Sequence, residues 1–378
     1  MEILSIGDII VIENEKYSVV QVFTKSLSGN TYKVKNVRTG VYFVIKEFVD
    51  SLIDGERDPV TNRIWYQKSD ETLKSKAEIL CEKEIAFQRM VLSEDGTNNR
   101  YVFPMEIHLD TQKGKYTYAP LLSVYTEKGI VLSEYCSQMQ NKRDIIEIFM
   151  IMKAMCHAVN SLHEKNILHL DLKPDNLYLE KDKDSCIIKI LDLGSAQKIN
   201  EFDYKLFSLS SGTVAFRSPN VGKLGNAYTE RQKAKIISKL SFYDDVYSLA
   251  NILLYLLLGK TFTEINDRNP RKGEHKKEMF ENDLVEYGFN TLVWCHSYLK
   301  YMFDKLKNKK YTCVIAQNSS DEPYSFYSDI CTLSEIAVGE GYYPESIRQN
   351  GSAFMERYVL NRGIKINENM IPDIELQV

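Results

Sequence analysis

The sequence predicts an α+β protein in two lobes, a β-rich N-terminal lobe to about residue 135 and a larger helical lobe over 136–378. Two observations carry this reading. The first third holds runs of β-branched and aromatic residues broken by turn residues, with one long helical pattern among them. The remainder holds apolar residues at helical spacing. A chain of 378 residues has room for a real core in each lobe.

In chain order, Asp8–Glu13, Tyr17–Thr24, Thr31–Asn36 and Val41–Phe48 read as strands, set apart by turns such as Ser28-Gly29-Asn30 and Thr39-Gly40. Asp50–Asp70 is polar and rich in turn residues, so a loop is expected there. Glu71–Leu92 reads as a helix from Ala77, Leu80, Ile85, Phe87 and Met90. Two further strands are expected near Tyr101–Ile107 and Gly129–Tyr135. Arg143–Glu164 and the strongly apolar Asp244–Leu258 read as long helices, and Glu345–Asn361 as a late one. Residues after about 263 are expected to form a further helical part of this lobe, with no assignment to a known pattern.

The charge balance excludes some partners. Lys and Arg number 48 against 52 Asp and Glu, a net charge of −4, so nothing points to nucleic acid. The longest apolar run lies within Leu249–Leu258, far short of the roughly 20 residues a bilayer requires, so no membrane insertion is expected. The seven cysteines form no Cys-x-x-Cys pair and are odd in number. That argues against a disulfide framework or a structural zinc, and for a reducing compartment. The N-terminus lacks a basic region followed by an apolar stretch, so no signal peptide is expected. A cytoplasmic location follows, or delivery into a host cell as an effector.

The chemistry concentrates in His169-Leu-Asp-Leu-Lys-Pro-Asp-Asn176. Phosphoryl transfer needs few protein groups, and most of them position charge. One carboxylate must accept the proton of the attacking hydroxyl, one cation must neutralise the γ-phosphate, and one side-chain oxygen must hold Mg²⁺. Asp171, Lys173 and Asn176 supply these in one short loop, stiffened by Pro174. Further on, Ile190-Leu-Asp-Leu-Gly194 sets Asp192 in a tight turn after an apolar strand, a second candidate metal ligand.

Ser161–Asn176 resembles the catalytic loop of the eukaryotic-type Ser/Thr protein kinase family, and Asp192-Leu-Gly194 resembles its Asp-Phe-Gly motif, with Leu for Phe. The resemblance implies a two-lobed kinase fold with ATP in a cleft, Mg²⁺ (or Mn²⁺) as the ion, and a protein bearing a Ser or Thr acceptor as substrate. It implies that Asp171 is the catalytic base, that Lys173 stabilises the phosphoryl group, and that Asn176 and Asp192 bind the metal. Val44-Ile45-Lys46 resembles the strand whose lysine grips the α/β-phosphates. Its ion-pair partner falls on Glu84, with Glu82 as the alternative. Phe23, Gly29, Thr31 and Val44 would line the nucleotide. Val131–Cys136 resembles the hinge, where the Glu134 carbonyl and the Cys136 amide would bond adenine and Ser133 would guard the back of the pocket. Gly212–Pro219 resembles the end of the activation segment, Lys173 with Thr213 being the Ser/Thr-type combination, and Asp245 the anchoring Asp that bonds the catalytic loop.

The sequence also departs from the family. The three glycine-loop positions fall on Thr24, Ser26 and Gly29, so one glycine remains. Leu170 stands where an Arg would pair with a phosphorylated activation loop, which implies activity without that phosphorylation. Asn220 stands where a Glu would be anchored to a later Arg. Two rival readings follow: a pseudokinase serving as a binding module, and a small-molecule kinase of the aminoglycoside or choline type.

Overall fold

The computed structural model describes residues 3–25, 29–48, 55–67, 76–92, 112–113, 116–117, 120–125, 128–138, 145–181, 185–199, 201, 215–225, 227, 229–258, 302, 306, 312 and 325–342. The chain divides into two compact units. The first is Met1–Ile130 together with Lys189–Ser211, and the second is Val131–Ile188 together with Gly212–Val378. A single boundary at residue 135 does not describe this, because the chain returns to the first unit after leaving it.

The first unit is built on β1 (Ile9–Ile12), β2 (Glu15–Lys25), β3 (Gly29–Asn36) and β4 (Tyr42–Phe48). They form the four expected antiparallel strands, β1–β2–β3–β4 in sheet order. Alternation places Ile10, Ile12, Tyr17, Val19, Tyr32, Val34 and Ile45 in one buried cluster.

The expected loop over Asp50–Asp70 is corrected: it contains β5 (Gly55–Arg57) and β6 (Ile64–Gln67), paired as a hairpin. The Asp58 carboxylate accepts from the Val60 and Thr61 amides at 2.8 Å, and Asn62 takes a φ of +57°, so the turn residues close a hairpin and do not extend a loop. Arg57 pairs with Glu47 at 3.1 Å, and the Arg63 guanidinium donates to the Val11 carbonyl at 2.7 Å, tying the hairpin to β4 and β1.

Next comes α1 (Lys76–Leu92), the expected helix. It packs Ala77, Leu80 and Cys81 against Phe48, Ile64 and Tyr66. After it, β7 (Gln112–Lys113) and β8 (Tyr116–Thr117) join the hairpin in a second sheet, ordered β5–β6–β8–β7. β9 (Pro120–Val124) completes the first sheet beside β4. The expected strand Tyr101–Ile107 lies outside the described residues.

The expected strand Gly129–Tyr135 is also corrected. Only Gly129–Val131 is extended (β10), and Leu132–Gln138 is helix α2. Leu132 and Cys136, four residues apart, are its buried positions, which is helical and not strand periodicity.

In the second unit, α3 (Ile145–His163) is followed by β11 (Ile167–Leu168), one 3₁₀ turn at Pro174–Asn176 and β12 (Leu177–Lys181), and β13 (Cys186–Ile190) begins there and runs into the returning segment. The chain's return to the first unit carries β14 (Gln197–Lys198). Then come α4 (Pro219–Gly225), α5 (Glu230–Ile237), α6 (Phe242–Leu258) and α7 (Phe326–Tyr342). α3 and α6 are buried nearly all round and form the core of this unit. α7 packs on α3; it lies in the part expected to be helical after about 263, where the sequence reading set no element at this position. The expected helix Glu345–Asn361 lies outside the described residues.

Candidate active site

Three charged side chains meet inside the first unit. Lys46 lies on β4, inside the sheet, with its side chain 7% exposed. Its Nζ stands 2.7 Å from Glu84 Oε2 and 3.0 Å from Asp192 Oδ1. The α1 pattern explains Glu84. Ala77, Leu80, Cys81, Phe87 and Val91 form its buried stripe, and Glu84 occupies a position within that stripe at 0% exposure. Glu82 is exposed, so the structure settles the choice between the two for the partner of Lys46.

Burial disfavours the Lys46 ammonium, but the charges of Asp192 and Glu84 outweigh it and hold the lysine above its ordinary value, so it stays protonated. Burial pushes the Glu84 carboxyl up to about 7, against the pull of Lys46.

The Asp192 turn is equally tight. The Gly194 amide donates to Asp192 Oδ1 at 2.8 Å, and the Gly194 carbonyl accepts from Lys83 Nζ at 3.2 Å. A Cβ on residue 194 would lie 2.9 Å from Asp192 Oδ1 and 3.4 Å from Glu84 Oε2, so a side chain there would push the Asp192 carboxylate out of its place beside Lys46.

The other expected nucleotide residues fall on the same sheet. Thr31 lies directly across from Lys46, and Val44 directly across from Lys33, in the β3–β4 ladder. Phe23 is skipped by the β2–β3 register, which passes from Val22↔Tyr32 to Thr24↔Thr31. Such a bulge re-aims a side chain, and the Phe23 ring stacks on Tyr125 with centroids 6.3 Å apart. Gly29 begins β3, where a Cβ would lie 2.8 Å from the Glu47 carbonyl oxygen. Strand packing alone therefore demands glycine there. Ser26 lies outside the described residues, as does the side chain of Thr24.

The hinge assignment is corrected. Glu134 and Cys136 belong to α2, where backbone groups are committed to the helix, and Ser133 lies in the same helix. The strand beside Lys46 is β9, with Val44 opposite Ser123 and Lys46 opposite Leu121.

The catalytic-loop residues gather in the second unit. The Asp171 carboxylate has Lys173 Nζ at 3.4 Å and accepts from Asn176 Nδ2 at 3.2 Å. Asn176 Nδ2 also donates to the Asp171 carbonyl at 2.9 Å, which leaves the amide oxygen facing away as a candidate metal ligand. Asp245 on α6 holds the loop from beneath: its carboxylate accepts from the His169 and Leu170 amides, each at 2.8 Å, and meets His163 Nε2 at 3.0 Å. Burial would raise the Asp245 carboxyl, but His163 and the loop amides hold it below the ordinary carboxylate range. Leu170 takes a φ of +64°, a left-handed conformation unfavourable by about 1–2 kcal/mol for a side chain of its size. The Asp245 bonds offset that strain. Its side chain is buried, so the position carries core packing where the resemblance would place an arginine. Thr213 lies outside the described residues.

Comparison with known proteins agrees with this geometry. A profile of the protein kinase domain matches residues 25–334. The chain is 30% identical over 144 residues to a probable serine/threonine-protein kinase 2 of Plasmodium falciparum, covering 38% of this chain and 24% of that protein. It is 31% identical over 133 residues to the ovarian-specific serine/threonine-protein kinase Lok of Drosophila melanogaster, covering 35% of this chain and 25% of that one. A striated muscle preferentially expressed protein kinase of Danio rerio is 27% identical over 155 residues, covering 39% of this chain and 5% of that protein. The matched stretch thus spans a quarter or less of each of these relatives.

Proposed function

The chain belongs to the protein kinase domain family, and on that premise we propose that it transfers the γ-phosphate of ATP to Ser or Thr hydroxyls of a protein, using Mg²⁺. The observation that carries the reading is the Lys46–Glu84–Asp192 cluster, a buried lysine locked between two carboxylates. Burying the Lys46–Glu84 pair costs desolvation that apolar residues of the same volume would not, and a role in gripping phosphate, with the half-buried Asp192 beside it, accounts for that cost.

In this reading Lys46 binds the α/β-phosphates. The chain after Val124 offers its backbone to adenine, and Phe23, Thr31 and Val44 lie along the nucleotide. Asp171 orients the acceptor hydroxyl and takes its proton as the hydroxyl oxygen bonds the γ-phosphorus and the bond to the ADP oxygen breaks. Lys173 neutralises the transferring phosphoryl group. Among the described residues no group of three or more His, Cys, Asp or Glu is placed to hold a metal alone. That suits Mg²⁺, which takes one or two carboxylates together with substrate phosphates. Asp192 and the Asn176 amide oxygen would hold it, and when bound it neutralises phosphate charge. The Ser/Thr preference rests on the similarity to two serine/threonine-protein kinases and on Lys173 with Thr213. Among the described residues no helix is long and apolar enough to cross a membrane.

The pseudokinase reading is kept alive by the single glycine of the Thr24–Gly29 loop. Transfer of labelled phosphate from Mg-ATP, to the chain itself or to a basic protein, decides between the readings. Wild-type signal that is lost in Asp171→Ala and in Asp192→Ala is the expected result. No signal together with no Mg²⁺-dependent thermal shift on adding ATP sinks it in favour of a binding module.

A further inference from the structure

The departure at Asn220 has a partner. Asp244 on α6 is 1% exposed and collects three donors. Its Oδ1 accepts from the Ser218 hydroxyl and from Asn220 Nδ2, the latter at 3.1 Å, and its Oδ2 accepts from the Ser241 amide at 2.9 Å. Ser218 and Asn220 are themselves buried, at 1% and 5% exposure. The Ser218 hydroxyl also accepts from the Val221 amide at 3.3 Å, closing the first turn of α4. A second contact docks the same stretch, since the Phe216 ring meets the edge of Tyr255 on α6 at 5.8 Å. Burial pushes the Asp244 carboxyl above its ordinary value, and the Ser218, Ser241 and Asn220 bonds pull against that.

A glutamate at 220 would set a second buried carboxylate against Asp244, with no cation among the bonded groups to separate them. Asn220 supplies a donor at that point. The pair is chemically matched, one donor to one acceptor.

We propose that Asp244 is a positioning residue: through Ser218 and Asn220 it fixes the Phe216–Asn220 turn that presents the protein substrate, in place of a Glu–Arg ion pair. This rests on the kinase reading for the word substrate, and on geometry alone for the anchor.

The test compares Asn220→Asp with the swap Asn220→Asp/Asp244→Asn in the full chain. The first puts two carboxylates together. The second restores one donor and one acceptor, because Asn at 244 can turn its amide toward residues 218 and 220 and its oxygen toward the Ser241 amide. Amide hydrogen exchange over 216–222 and steady-state kinetics with a Ser peptide are read together. Asn220→Asp is expected to speed exchange at 216–222 and to raise the peptide KM by about tenfold, the size of one coupled buried pair. The ATP KM and the ATP-induced thermal shift should hold, and the swap should recover most of the loss. Unchanged exchange and peptide KM in an active enzyme overturn the anchor. Equal damage to the ATP KM and to melting, unrescued by the swap, overturns positioning in favour of a general structural role. A wild type that transfers no phosphate while Asn220→Asp still loosens 216–222 overturns the kinase reading and the substrate role with it.

Discussion

Glu84 and Glu82 stand two positions apart, yet one is sealed against Lys46 and the other faces solvent. Glu84→Gln keeps the shape and removes the charge. Phosphoryl transfer should fall by about 10- to 100-fold, as for other losses of preorganised charge, while Glu82→Gln should be silent. Equal effects from both would refute the assignment. The pH dependence has a definite sign. The folded Glu84 carboxyl sits at about 7, above the ordinary 4.5. Stability from this group is therefore full below 4.5 and is lost as pH rises through 7, so Glu84→Gln should flatten the melting temperature between pH 5 and 8. Activity that needs the charged pair should fall as pH drops through 7. Gly29 makes a further prediction. Because strand packing leaves no room for a Cβ, Gly29→Ala should destabilise by about 1–3 kcal/mol, read by denaturant unfolding, whether or not ATP is present. An effect seen only with ATP would return Gly29 to a phosphate-binding role. The residue types and order in 169–176 and at Asp192 were legible because the chemistry needs those groups. The steric reason for Gly29 was not, since it depends on a strand that lies beside it only in the fold.

Elements were legible where one period dominates. α3 and α6 are apolar nearly all round, β3 alternates, and β4 is a short run of β-branched and aromatic residues between turn signals, so their existence follows from pattern. Pattern misleads where a short apolar run meets turn residues. Ile64-Trp-Tyr behind Asp58-Pro-Val-Thr-Asn62 was a hairpin written in turn chemistry, and Leu132…Cys136 was a helical pair hidden in a run that looks extended. α7 had its signal in Phe326, Ile330 and Leu333, but no neighbouring motif drew attention to it. Between elements, Asp245 ties α6 to the catalytic loop by two buried amide bonds and to the end of α3 by a third buried contact, at His163. Asp245→Asn keeps one acceptor and strands at least one donor, so a loss of about 2–4 kcal/mol is expected. Its depressed carboxyl contributes stability above the ordinary 3.8 and loses it as pH falls through the lower folded value. The gap in unfolding free energy between wild type and Asp245→Asn should then be full at pH 6 and narrow below pH 3.8. A gap independent of pH would mean that His163 and the loop amides do not favour the charged form.

At the scale of the whole chain, the sequence runs once from sheet to helices, but the structure does not divide that way. Lys189–Ser211 leaves the second unit and completes the first. The reason is chemical: Lys46 on β4 needs the second carboxylate of Asp192, and Lys83 on α1 meets the Gly194 carbonyl, both from that returning segment. Linear pattern could find Asp192 as a motif residue, but not its place beside Lys46, because the pairing joins positions far apart in sequence. A fragment cut after residue 135 therefore has the sheet and α1 but an incomplete charge cluster. Expressed alone, it should keep strand signal in circular dichroism yet melt earlier and show no thermal shift with Mg-ATP. Extending the fragment to residue 211 restores Asp192 but also carries α3 without α6, leaving a core helix half covered. That longer piece is expected to aggregate. Independent folding and ATP binding by the 1–135 fragment would mean that the returning segment is dispensable and that Glu84 alone sets Lys46.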